Sequence, residues 1–118
     1  RLADRLLQSE ALTSPGAVLV SWWRHPASAD ASGTPTEWLR SLPGPVVEVH
    51  CYCPPAVAVE RFLKRHRHAG HLDAQRSRDA LVSQITAAAS LGPLGVGRTI
   101  SLDSSASYDA RAIRELFA

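Results

Sequence analysis

Methionine is absent from the 118 residues, and lysine occurs once, at Lys64. Without a methionine the chain carries no start residue of its own, which is the expectation for a processed product or a fragment. Cysteine is limited to Cys51 and Cys53. Two residues apart in an extended strand, they point to the same face about 7 Å from each other, too far for an ordinary disulfide. Two thiols alone also make no four-ligand zinc site. They read as small, buried strand residues of a protein from a reducing compartment. No apolar run approaches the roughly 20 residues that a membrane helix needs. The first eight residues mix acid and amide among leucines, so they do not form a signal peptide. These features lead to an expectation of a cytoplasmic protein without a membrane partner.

What is present is arginine. Twelve of the thirteen basic residues are arginine, although the net charge is only +2. Guanidinium groups make planar, bidentate contacts to phosphate and carboxylate. The many Ala, Arg and Pro residues equally fit GC-rich coding composition, with arginines spread along helix surfaces. A length of 118 residues with 45% hydrophobic residues allows one domain with a real core, and the chain is read as a single domain over residues 1–118.

Leucines 2, 6, 7 and 12 recur at helical spacing, predicting a helix over residues 1–13 that Ser14-Pro15-Gly16 ends. The apolar run 17–23 lacks alternation, which suits a strand buried on both faces. Residues 24–35 read as a loop. Thr34, Pro35 and Glu37 then fit a capping box that starts a short helix, stopped by Leu42-Pro43-Gly44-Pro45. A second strand is expected over 46–53, a helix from Pro55 to about Arg67, and a break at Ala69-Gly70. Asp73 suits the cap of a long helix to about Ser90 with Leu81, Val82, Ile85 and Ala88 on its apolar face. Residues 91–97 form a loop, 99–102 a third short strand and 109–117 a final helix. Gly92-Pro-Leu-Gly-Val-Gly97 is no phosphate loop, because a strand follows it instead of Lys-Ser/Thr and a helix. Strands separated by helices predict an α/β fold: three layers, a parallel sheet of three short strands and flanking helices.

The most informative stretch is 45–65, Pro-Val-Val-Glu-Val-His-Cys-Tyr-Cys-Pro-Pro-Ala-Val-Ala-Val-Glu-Arg-Phe-Leu-Lys-Arg. A β-branched run stops at a Pro-Pro corner, and a helix begins at once. Arg61 and Arg65, four apart, share one face of that helix. A helix leaving the C-terminal edge of a strand carries such a face over the crevice where open α/β sheets bind ligands. The same pair also fits a solvated helix face.

This segment resembles the one after the fourth strand of P-loop small-molecule kinases, in which Glu-Arg-x-x-x-Arg supplies nucleotide-contacting arginines. Adenylate and gluconate kinases and the chloramphenicol-phosphotransferase and zeta-toxin-like group share it. The resemblance implies a partial P-loop NTPase fold that binds ATP with Mg²⁺ and phosphorylates a hydroxyl of a small-molecule acceptor. It gives Arg61 the place of the arginine packed on adenine, and Arg65 that of one reaching the phosphates. Arg67 becomes a candidate catalytic arginine of a lid over 64–73, with Gly70 as its hinge. Asp103 and Ser104 take the place of the turn bordering adenine, and a simple turn or helix cap explains them equally well. At the end of the first strand, Ser21 is expected to hydrogen-bond the acceptor, Trp22 or Trp23 to wall it, and Arg24 to bind an anion.

The decisive Gly-x-x-x-x-Gly-Lys-Ser/Thr motif has no match in the chain. The resemblance therefore covers the C-terminal two thirds of such a domain, and the chain alone is expected to be inactive and marginally stable. Two alternatives stay open: a non-catalytic nucleotide- or phosphate-binding module, and a basic nucleic-acid-binding domain using the Arg-His stretch. Against the latter, no aromatic residue is interleaved in 64–73 to stack on bases. His66, His68 and His71 match no zinc spacing, so no metal site is expected.

Overall fold

The computed structural model describes residues 1–68, 71 and 75–118. The chain divides into two compact units, the first comprising Arg1–Glu48 and Pro93–Thr99, the second Val49–Gly92 and Ile100–Ala118. Among the described residues the α-helices are α1 (Leu2–Thr13), α2 (Pro55–Lys64), α3 (Arg78–Leu91) and α4 (Ala110–Phe117), and a 3-10 turn covers Glu37–Ser41. Strands β1 (Val47–Tyr52) and β2 (Arg98–Asp103) form a two-stranded parallel sheet. The class is α/β as expected, but the sheet has two strands, not three.

The missing strand is the run 17–23, which contributes only an isolated parallel bridge between Trp23 and Thr34. A ladder needs a neighbouring strand, and here a single loop residue supplies both bonds. The Thr34 N–H donates to the Trp22 carbonyl at 2.7 Å, and the Arg24 N–H donates to the Thr34 carbonyl at 2.9 Å. Beyond that bridge the run is not buried on both faces. Val18, Val20 and Trp22 are 92%, 85% and 74% exposed, whereas Leu19, Ser21 and Trp23 are half-buried. That period of two is the habit of a strand with one covered face.

The first unit is organised around buried hydroxyls. Thr34 is buried, and its Oγ1 donates to Asp4 of α1 at 3.1 Å. Its one proton being spent there, Thr34 accepts from the Ser21 hydroxyl 2.6 Å away. Thr36, also buried, donates to the Arg24 carbonyl at 3.0 Å. Thr34 is thus not the cap predicted for the next helix. The residue before the 3-10 turn is Thr36, with no side-chain capping bond. Trp23 packs at 6.2 Å on Trp38, and Leu39 and Ala11 are buried in the same unit.

The loop before β2 is held from within the strand. The Glu48 carboxylate accepts from three successive backbone N–H groups, those of Leu94, Gly95 and Val96. Gly92 and Gly95 both sit at φ +69°, which lets the backbone curl around that carboxylate. In this way the loop does cradle an anion, its own.

In the second unit α2 packs against α3, with Val59 and Leu81 its most deeply buried side chains. The proline at the first helical position of α2 loses no hydrogen bond, since that N–H has no helical partner. This helix ends at Lys64, short of the predicted Arg67, because Arg65 turns to extended backbone. Next, α3 begins at Arg78, and Ser77 caps it by accepting from the Ala80 N–H. The predicted cap Asp73 and hinge Gly70 lie outside the described residues. Cys51 and Cys53 are free, exposed and half-buried respectively, where burial was expected. They differ from expectation because one face of β1 stays bare: Val47, Val49 and Cys51 are exposed while Glu48 and His50 are half-buried. No helix among the described residues is long and apolar enough to cross a membrane.

Candidate functional site

In the second unit both strands end at the same edge. The Ser104 N–H and hydroxyl both donate to the Tyr52 carbonyl, at 2.7 and 2.9 Å. Within the first unit the Arg98 N–H donates to the Val46 carbonyl at 3.1 Å. The same offset of 52 residues separates each pair, so the register is parallel from end to end. The turn after β2 is closed by Asp103, whose carboxylate accepts from the Ser105 N–H at 2.9 Å and the Ser105 hydroxyl at 2.6 Å. Those two hydrogen bonds, with a smaller contribution from the charge of Arg61, hold its carboxyl below the usual value.

Arg61 is fixed against this edge. Its Nη1 donates to the Ser104 carbonyl at 2.8 Å and approaches the Cys53 sulfur at 3.8 Å. Three residues predicted to hold the nucleotide, Arg61, Asp103 and Ser104, are thereby brought together across 43 residues of sequence. The hydroxyl of Ser104, however, is spent on closing the strand end. The Arg61 Nε and Nη2 groups have no partner among the described residues, so the outer edge of the guanidinium remains open to an acceptor.

One turn on, Arg65 lies over the Phe62 ring at 3.8 Å. Arg61, Lys64 and Arg65 line a shallow depression of about 620 Å³ with Glu60 and the apolar Ala56 and Val57. Glu60 is tied to Arg78 of α3 at 2.8 Å. That hydrogen bond first, and the Arg78 charge second, hold the Glu60 carboxyl below its ordinary value of 4.5. Arg67 bonds His71, and both are exposed. Among the described residues no cluster of three His, Cys, Asp or Glu side chains gathers to hold a metal.

The predicted acceptor residues belong to the first unit. Ser21 is bound to Thr34, Trp22 is exposed, and Arg24 donates to the Ala31 carbonyl at 3.3 Å. Sequence reasoning missed Glu48 and the Thr34 hub. A lone acid inside Val-Val-Glu-Val, with a glycine-rich loop later in the chain, was the available signal for Glu48.

The Glu60–Arg78 pair carries a pH prediction. A carboxyl whose folded value is depressed adds stability above its unfolded value and loses it as pH falls through the folded one. Glu60, Asp103 and Asp30, the last held down by Ser32, all act in this direction. Urea unfolding is therefore expected to be flat near neutrality and to weaken progressively below the ordinary carboxylate range. Arg78→Ala should shrink that acid dependence. An unaltered acid limb in the variant would show that the pair is silent.

Comparison with protein-family models, curated proteins and solved structures finds no match to this chain.

Proposed function

We propose that this chain supplies the nucleotide-binding edge of a kinase-like phosphotransferase, with ATP as ligand and a hydroxyl of a small molecule as acceptor. The observation that carries the reading is Arg61, held at the C-terminal edge of the parallel strands with two of its nitrogens turned to no partner among the described residues. Ligands of open α/β sheets bind at that edge. Phosphoryl transfer spreads charge over equatorial oxygens, which guanidinium groups neutralise. In this reading Arg61 and Arg65 meet the nucleotide, Arg67 the transferred group, and Asp103 and Ser104 border the base. Ser21, Trp22 and Arg24 serve the acceptor.

Magnesium would bring charge neutralisation to the phosphates. Among the described residues no cluster of three His, Cys, Asp or Glu side chains would hold it. The same arginines serve a non-catalytic nucleotide- or phosphate-binding module, a reading favoured by the lack of Gly-x-x-x-x-Gly-Lys-Ser/Thr.

Calorimetric titration with ATP tests the binding. Arg61→Ala is expected to weaken it about 10- to 100-fold, the loss of one or two charge-assisted hydrogen bonds. An affinity unchanged by Arg61→Ala overturns the reading. In both forms the chain by itself is expected to transfer no phosphate to any acceptor, and turnover well above a mock preparation would overturn that expectation.

A further inference from the structure

We infer that Cys51 and Cys53 together form a site for one soft, monovalent metal ion of the copper(I) class, held between their two sulfurs. The inference does not depend on the nucleotide reading, and the residues of the site all belong to the second unit.

Its first support is register. Along β1 the exposure alternates, with Val47, Val49 and Cys51 exposed and Glu48 and His50 half-buried. Tyr52 is still tied to the sheet, through the two hydrogen bonds that Ser104 donates to its carbonyl. Pro54 follows Cys53 and favours extended backbone at that residue. The alternation therefore runs on past the last strand residue, and both cysteines lie on the face of Val49, opposite to His50.

The second support is spacing. Both thiols are free, and Cys51 is exposed, so an ion can enter from solvent. Two residues apart in extended chain, their Cα atoms stand about 7 Å from each other, just outside the roughly 4.4–6.8 Å that a disulfide accepts. Metal–thiolate bonds of about 2.3 Å on either side of an ion set the sulfurs roughly 4.5 Å apart, against about 2 Å in a disulfide. The separation that keeps the two sulfurs from bonding to each other thus suits an ion between them.

The third is ligand number and charge. Thiolates select soft ions such as copper(I). Zinc asks for four ligands, and among the described residues no third His, Cys, Asp or Glu joins the pair to hold a metal. Copper(I) is satisfied by two thiolates in a near-linear arrangement. Binding needs no redox step: the ion displaces one proton from each thiol, two copper–sulfur bonds form, and the complex carries one negative charge. Arg61 stands ready to meet that charge. Its Nη1 lies 3.8 Å from the Cys53 sulfur, and the Ser104 carbonyl holds it there at 2.8 Å.

The test is anaerobic titration of the full chain with copper(I) against the competing chelator bicinchoninate, followed by thiolate-to-copper absorbance and by a count of reactive thiols. The expected result is one ion per chain, both thiols protected, and no change of oligomeric state on size exclusion. Groups that merely support a metal ligand are worth about 10- to 100-fold in affinity, so Cys51→Ser and Cys53→Ser should each cost more than about 100-fold. Arg61→Ala is expected to weaken binding about 10-fold and to leave the stoichiometry at one. Circular dichroism confirms the fold of each variant. No binding overturns the inference, as does a single cysteine variant that binds as tightly as the parent. One ion per two chains overturns it in favour of thiols shared between copies. Binding that survives replacement of both cysteines overturns it in favour of the histidines. Zinc bound one per chain with both thiols equally protected overturns it in favour of a site with further ligands.

Discussion

Gly97→Ala is expected to destabilise the first unit by about 2–4 kcal/mol, a large share of the roughly 5–15 kcal/mol of a whole domain's stability. A Cβ on Gly97 would stand 2.3 Å from the Val46 carbonyl oxygen, 2.9 Å from its carbon and 3.0 Å from the Val46 Cβ. Two of those three neighbours are main chain, which cannot swing aside as a side-chain tip does. Moving the Val46 carbonyl away also strains the bond it accepts from the Arg98 N–H at 3.1 Å, the first bond of the sheet register. Overpacking costs about 1–3 kcal/mol and the weakened backbone hydrogen bond about 0.5–1.5 more. Gly16→Ala, in the same unit, is the internal control. Nothing lies within 4 Å of its added Cβ, and its backbone is not in the positive-φ region. Such a surface substitution is worth about 0.5 kcal/mol or less. Urea midpoints followed by circular dichroism should therefore rank Gly97→Ala well below Gly16→Ala. Equal midpoints would mean that the Val46 backbone yields freely, and that the start of β2 is not fixed by close approach.

Legibility in the sequence followed locality. The ends of α1, α4, β1 and β2 fell within two residues of expectation, because prolines, glycines and polar caps sit next to the elements they delimit. Asp109, for example, does cap α4, accepting from the Ala112 N–H at 2.7 Å. The run 17–23 failed for the opposite reason. Its residues suit a strand, but strand formation depends on a partner far away in sequence, and Thr34 bonds only Trp22 of the run and Arg24 just beyond it. The burial of Cys51 failed likewise, since an apolar strand does not announce whether a layer covers its second face. At the site, the spacing of Arg61 and Arg65 was readable from four-residue periodicity. The hold of Ser104 on Arg61 was not, because it joins residues 43 apart. Arg65 on Phe62 is local, yet a cation over a ring depends on rotamers that periodicity does not specify.

Leu81→Ala should have the largest effect in the second unit, about 2–5 kcal/mol, by removing its most deeply buried side chain. The predicted apolar face of α3 named Leu81, Val82, Ile85 and Ala88 as equals, and the fold ranks them. Leu81 is 1% exposed, whereas Val82 is 42% exposed; Ile85 is half-buried, and Ala88 is exposed. Packing of α3 on α2 is the chief helix contact of this unit, and Val59 of α2 is similarly buried at 2%. Truncating Leu81 leaves a cavity that a two-helix contact has few neighbours to refill. Val82→Ala removes groups that water already reaches, so it should cost less than about 1 kcal/mol. The consequence extends to the cationic face, because α2 carries Arg61 and Lys64 and presents Arg65 at its end. Amide exchange across both helices should accelerate together in Leu81→Ala, and Arg61 should lose its fixed approach to the Ser104 carbonyl as α2 loosens. Exchange that rises in α3 alone would show that α2 is held by the sheet edge through Arg61 and not by the helix behind it. A variant within about 0.5 kcal/mol of the parent would remove Leu81 from the core altogether.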